Sequence, residues 1–137
     1  MNVCDTSVLL DIDRGHSDEK VGRLDSEGPQ LISMVSVTEL RYGVNLMTPP
    51  DSEAHHESVE GLNRLLSRFE IIPVNRPVAT AAADIMVTLN NDGSPIHDLH
   101  DIYIGATART QELPVLTANV EHFYRMPGVD VTDWTAY

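Results

Sequence analysis

At 137 residues and 42% apolar content, the chain is long enough to bury one sizeable core and too short for two ordinary domains, so residues 1–137 are read as one domain. No apolar run approaches the roughly 20 residues that span a bilayer, and no basic stretch opens the N-terminus, so the expectation is a cytoplasmic protein without membrane attachment. Acids outnumber bases 21 to 9, the net charge is −12 and Lys20 is the only lysine, whereas a protein held to nucleic acid chiefly by phosphate neutralisation would show a basic face. The surplus suits a high-salt cytoplasm, a basic partner or plain solubility. Cys4 is the only cysteine, which rules out an intramolecular disulfide and argues against a thiolate zinc site.

In chain order, residues 1–4 read as a strand, and Asp5-Thr6-Ser7 can cap a short helix reaching residue 13. A polar helix over 17–26 is closed by Gly28-Pro29. A strand at 31–35 precedes a helix in which Val37, Leu40, Val44 and Met47 recur at helical spacing before Pro49-Pro50. A further helix is expected over 51–68, a strand over 70–74, and a helix from Pro77 that Asn90-Asn91-Asp92-Gly93 breaks. Over 98–111 the residues Leu99, Ile102, Tyr103 and Ala106 form an apolar stripe, and Gly105, Ala106 and Ala108 permit close packing, so this helix should be central. A strand at 114–117, a short helix at 119–124 and a strand at 129–131 complete the chain. Strands alternating with helices, joined by connections unsuited to hairpins, predict an α/β sandwich with a mostly parallel central sheet flanked by helices.

In such sheets the functional crevice lies beyond the carboxyl ends of the strands, where Asp5 and Asn119 fall. Asp5 is also a good helix N-cap. Glu39 closes Ser36-Val37-Thr38-Glu39, which fits a capping box as well as a site. Asp98 and Asp101, three apart, share one face of a helix start, where the macrodipole favours acids and Gly105 would leave room beside Asp101. The string His97-Asp98-Leu99-His100-Asp101 has the look of a metal cluster, but helical spacing puts the histidines and the aspartates on different sides. Three gathered carboxylates suit a hard divalent cation that keeps positions open for water and a phosphate. Without one, unit charges 4 Å apart cost about 4 kcal/mol at an effective dielectric near 20, so not all would stay ionised.

Taken together, four blocks resemble the PIN-domain family. Val3-Cys4-Asp5-Thr6-Ser7 looks like its V-x-D-T/S-S opening, and Ser36 to Gly43 is similar to its T-x-x-E-L-x-x-G helix. Asp101 to Ala108 resembles D-x-x-I-A-A-T-A, and Val115 to Phe123, followed by Pro127-Gly128-Val129, resembles L-T-x-N/D-x-x-x-F and its sequel. The resemblance spans nearly the whole chain and implies a PIN-like three-layer sandwich. It further implies a Mg²⁺- or Mn²⁺-dependent endoribonuclease of the VapC toxin kind, acting on RNA, restrained by a VapB-like antitoxin and homodimeric. By resemblance Asp5, Glu39 and Asp101 are the catalytic and metal-binding residues. Asn119 stands where some members carry Asp, and Asp98 is an auxiliary carboxylate one turn from Asp101. Arg14 and Arg41, each shortly after a site segment, are candidates for RNA backbone contacts.

A phospho-accepting receiver domain would need a lysine near the last strand, and Lys20 is far from it. An aspartate-nucleophile phosphatase would need an acid at Ser7. The remaining alternative is a catalytically inactive PIN-fold binding module in an RNA-associated complex, against which the retention of all three acids argues.

Overall fold

A computed structural model describes residues 1–15, 17–95 and 98–137, so His97 and the reading placed on it lie outside the described residues. The elements run β1 (Val3–Cys4), α1 (Thr6–Asp13), α2 (Asp18–Ser26), β2 (Gln30–Ser33), α3 (Met34–Met47) and α4 (Glu53–Leu66). They continue with β3 (Phe69–Ile72), α5 (Arg76–Asn91), α6 (Leu99–Gln111), β4 (Val115–Thr117), α7 (Val120–Phe123) and β5 (Val131–Asp133), before a single 3₁₀ turn at Trp134–Ala136.

The five strands form one sheet in the order β3-β2-β1-β4-β5, every neighbouring pair parallel. Val3 pairs with Leu31 and with Val115, and Cys4 with Leu116. Alternation along the strands sends these residues to opposite faces. Val3, Leu31, Ile72 and Val115 join α5, α6, Phe123 and Met126 in one core. Cys4, Ile32 and Leu116 join Val8, Leu9, Leu24, Leu40, Leu62, Leu65 and Trp134 in the other. Helices therefore cover both faces in three layers, with the mostly parallel sheet expected from the sequence at the centre.

The strand order reverses direction between β1 and β4, which makes the carboxyl ends of these two strands the switch point where such sheets open a crevice. α6 is central, as its small residues indicated: Ile104, Ala106, Thr107 and Ala108 are fully buried. Gly105 serves the close packing expected of it: a Cβ there would stand 2.4 Å from Met126 Sδ, so the missing side chain makes room for Met126.

Two boundaries move, and one element is added. Ser33, not Ser36, caps α3 by accepting from Val35 N, so residues 34 and 35 are helical rather than strand and the capping box at Ser36 does not form. The last strand lies two residues later than 129–131, because residues 126–129 are occupied in docking against α6. The 3₁₀ turn places Trp134 in the second core, tied by Nε1 to Asp11 Oδ2 at 2.8 Å. Among the described residues no helix is long and apolar enough to cross a membrane.

Candidate active site at the sheet switch point

Asp5 leaves β1 at the switch point and caps α1 from a β-region conformation. The residue is 4% exposed, and its carboxylate takes three donors: Thr6 N at 2.8 Å on Oδ1, and Ser7 Oγ at 2.9 Å and Thr117 Oγ1 at 2.8 Å on Oδ2. Asp5 thus caps α1 and also stands at the switch point. The three donors compensate a buried charge that would otherwise be expensive.

Glu39 lies in the second turn of α3, freed from any capping duty because the helix starts at Met34. Thr6 Oγ1 donates to Glu39 Oε1 at 3.0 Å and also meets Ser36 Oγ at 2.9 Å. A carboxylate only accepts, so the one proton of Thr6 goes to Glu39 and Ser36 is the donor to Thr6. Burial raises the Glu39 pKa above the usual carboxylate range; the Thr6 bond and His100 pull it back, while Asp5 and Asp98 push it further up.

Asp101 sits in the first turn of α6 and points inward, its side chain 12% exposed, whereas Asp98 caps the helix at 54% exposure by accepting from His100 N. Burial first, then the charges of Asp98 and Asp5, push Asp101 up to about 6, opposed by His122. The charges of Asp5 and Asp98 act on both Glu39 and Asp101, which marks a single acidic neighbourhood. Asn119 follows β4 at the N-cap of α7 and makes no capping bond with its side chain.

Two histidines border the acids. His100 Nδ1 stands 3.9 Å from Glu39 Oε1 and 3.8 Å from Asp98 Oδ1. His122 Nδ1 stands 2.9 Å from Asp101 Oδ2. His122 has no counterpart in the sequence reading, because it lies 21 residues from its partner and only the packing of α7 on α6 joins them. The nearest signal was its place immediately before Phe123, the buried anchor of α7.

The two arginines part company. Arg14, at the end of α1, lines a groove of about 550 Å³ together with Thr6, Glu39 and the apolar side chains Leu40, Val44 and Leu62. It also lines a second groove with Ser7, Lys20 and Asn119, so it stands between two approaches to the acids. Arg41 is exposed in a separate groove with Met34, Thr38 and Tyr42, and its Nε donates to Asn45 Oδ1 at 3.3 Å.

Among the described residues no lysine or arginine pairs with Asp5, Glu39 or Asp101, and no three acids, histidines or cysteines gather closely enough to cage an ion. Carboxylate oxygens without a lysine or arginine partner are the donor chemistry of a small divalent cation that keeps several waters. Thiol chemistry does not fit, since burial and the Asp5 charge push the Cys4 thiol up to about 12.

Comparison with known proteins identifies the family and the fold. The family model for the PIN domain matches residues 3–129. The tRNA(fMet)-specific endonuclease VapC of Salmonella typhimurium is 31% identical over 75% of this chain and 74% of its own length. Ribonuclease VapC1 of Methanocaldococcus jannaschii is 30% identical over 89% of this chain and 78% of its own. In fold, the crystal structure of DNA-bound VapBC from Salmonella typhimurium superposes with a TM-score of 0.84, at 24% identity, over 98% of this chain and 99% of the other.

Proposed function

The chain belongs to the PIN-domain family, and from that premise we propose that it is a divalent-metal-dependent endoribonuclease, the toxin of a VapBC-type toxin–antitoxin pair. The observation behind this reading is that Thr6 bonds both Asp5 and Glu39 beside the sheet switch point while Asp101 feels the Asp5 charge, with no lysine or arginine paired to any of the three among the described residues. Relatives that carry ribonuclease names support it, and the inactive binding module is set aside.

Asp5, Glu39 and Asp101 would hold Mg²⁺ or Mn²⁺, with Asn119 and Asp98 as auxiliary oxygen donors. Such an ion, when bound, supplies charge for the phosphodiester and acidifies a nucleophilic water. The chain supplies the rest. The three donors on Asp5 fix its carboxylate before substrate arrives. Thr6 engages Oε1 of Glu39 and leaves Oε2 to accept a proton from water, a task for which a carboxylate pKa raised by burial is suited. Arg14 offers a fixed charge to an RNA phosphate at the meeting of the two grooves, with Arg41 as a more remote contact.

The partner in this reading is a VapB-like antitoxin with a basic segment that complements the −12 charge, and the toxin acts in the cytoplasm as a homodimer. The test is incubation of purified protein with total cellular RNA in Mn²⁺ or in EDTA, with mapping of new 5′ ends. Metal-dependent ends are expected, and their absence removes the nuclease reading. Co-expression with the product of a neighbouring small gene should yield a co-purifying complex and relieve toxicity; failure of both removes the toxin–antitoxin part alone.

A further inference from the structure

Two of the site's acids are joined by an unbroken run of hydrogen bonds through one short segment of chain. Thr117 Oγ1 donates to Asp5 Oδ2 at 2.8 Å and accepts from Asn119 N at 2.9 Å. The Asn119 carbonyl accepts from His122 N at 3.0 Å, and His122 Nδ1 meets Asp101 Oδ2 at 2.9 Å. The first and last members are carboxylates that raise one another's energy, and everything between them belongs to residues 117–122.

The segment is fixed in place from below. Phe123, next to His122, is fully buried, and Met126 occupies the gap left by Gly105, one turn along α6 from Asp101. Arg109 Nη1, also on α6, donates to the Pro127 carbonyl at 3.4 Å. The His122 ring is therefore presented to Asp101 by a docked backbone, while 48% of its side-chain surface stays open to solvent.

Resting on the reading above, we propose that His122 is a positioning residue for the nuclease reaction: its Nδ1–H holds Asp101 Oδ2 and sets the spacing between Asp101 and Asp5, leaving Asp101 Oδ1 as the atom offered to the ion. Among the described residues Oδ1 takes no hydrogen bond of its own. An N–H at Nδ1 exists in one neutral tautomer and in the cation, so the ring need not change charge to do this. Outer partners that orient ligating carboxylates typically change metal affinity or activity by about 10–100-fold.

The experiment compares His122→Ala, His122→Asn and His122→Gln in the full chain. An asparagine amide nitrogen stands where Nδ1 stands, whereas a glutamine amide reaches to the position of Nε2. Mn²⁺ alone is titrated by calorimetry without RNA, and kcat and KM are measured separately on RNA, with thermal melts confirming folding. The expected result is Mn²⁺ affinity and kcat both lower by about tenfold or more in His122→Ala with KM unchanged, recovery in His122→Asn, and none in His122→Gln. Wild-type Mn²⁺ affinity in His122→Ala overturns the proposal, as does equal failure of Asn and Gln or a wild-type chain that binds no Mn²⁺. If His122→Ala does not fold, the Asn and Gln variants decide alone. Should wild-type protein bind Mn²⁺ yet cleave no RNA, the nuclease reading falls while the calorimetry still decides the role of His122.

Discussion

Thr6 and Glu39, 33 residues apart, share a hydrogen bond of 3.0 Å that ties the first residue of α1 to the second turn of α3. Ser36 completes the contact from one turn earlier on α3, and both hydroxyls are buried. Thr6→Val keeps the shape and removes the hydroxyl, leaving Ser36 without its acceptor and Glu39 Oε1 without its donor. A loss of about 1–3 kcal/mol is expected, the usual cost of stranding buried polar groups, with RNA cleavage reduced because Glu39 is no longer held. Thr6→Ser should retain both properties. Urea denaturation and cleavage rates check this, and an unaltered Thr6→Val would mean that Glu39 is oriented by something else.

Arg14 and Arg41 entered as equals from the sequence, and the grooves separate them. Arg14→Gln should raise KM for RNA several-fold and flatten the dependence of log KM on log salt by about 0.7, the contribution of one phosphate contact on a single strand. Arg41→Gln, in a groove that holds none of the acids, should leave both unchanged. The measurement is KM at several KCl concentrations. Equal effects for the two variants would show that the RNA follows a wider path than the two grooves around α1.

Repulsion among surplus acids, with one lysine and eight arginines to offset them, should make stability rise with salt. Lys20 is itself engaged, its Nζ donating to the Trp134 carbonyl at 2.7 Å. Urea midpoints in low and in molar KCl are expected to increase. Equal midpoints would leave solubility as the reason for the acidity.

Local patterns in the sequence identify most elements because each element's apolar residues repeat at its own period. Val3 and Cys4 diverge to two cores, and Val78, Ala82, Ile85 and Leu89 bury one helical face. What spacing cannot supply is the identity of a partner far along the chain. Ser36 satisfied a capping-box pattern, yet Ser33 was equally able to cap, and tertiary contact with Thr6 drew Ser36 into the interior. Gly105 announced close packing without naming Met126 as the side chain that would use it. His122 was invisible for the same reason, whereas Asp5 and Asn119 stood out because the ends of parallel strands are places of known consequence.

The two aspartates at the start of α6 give the sharpest test of the site. Asp98 is largely exposed and caps the helix through His100 N, while Asp101 is buried and joined to His122. Asp101→Asn keeps the shape and removes a charged oxygen donor, so with an ion held by few carboxylates most cleavage should be lost. Asp98→Asn should be milder, since an amide oxygen still caps the helix. Stability in EDTA should move the other way. Burial, Asp98 and Asp5 raise the folded-state pKa of Asp101 to about 6. The folded state therefore favours the protonated acid, and the associated stability is fully present below the unfolded value and lost as pH rises through about 6. At pH 7.5 without metal Asp101→Asn should be more stable than the wild type, and the difference should shrink as pH falls below 6. Cleavage rate against Mn²⁺ concentration and urea midpoints across pH provide the two measurements. An active Asp101→Asn beside a dead Asp98→Asn would move the proposed metal ligand one helical turn earlier, to Asp98.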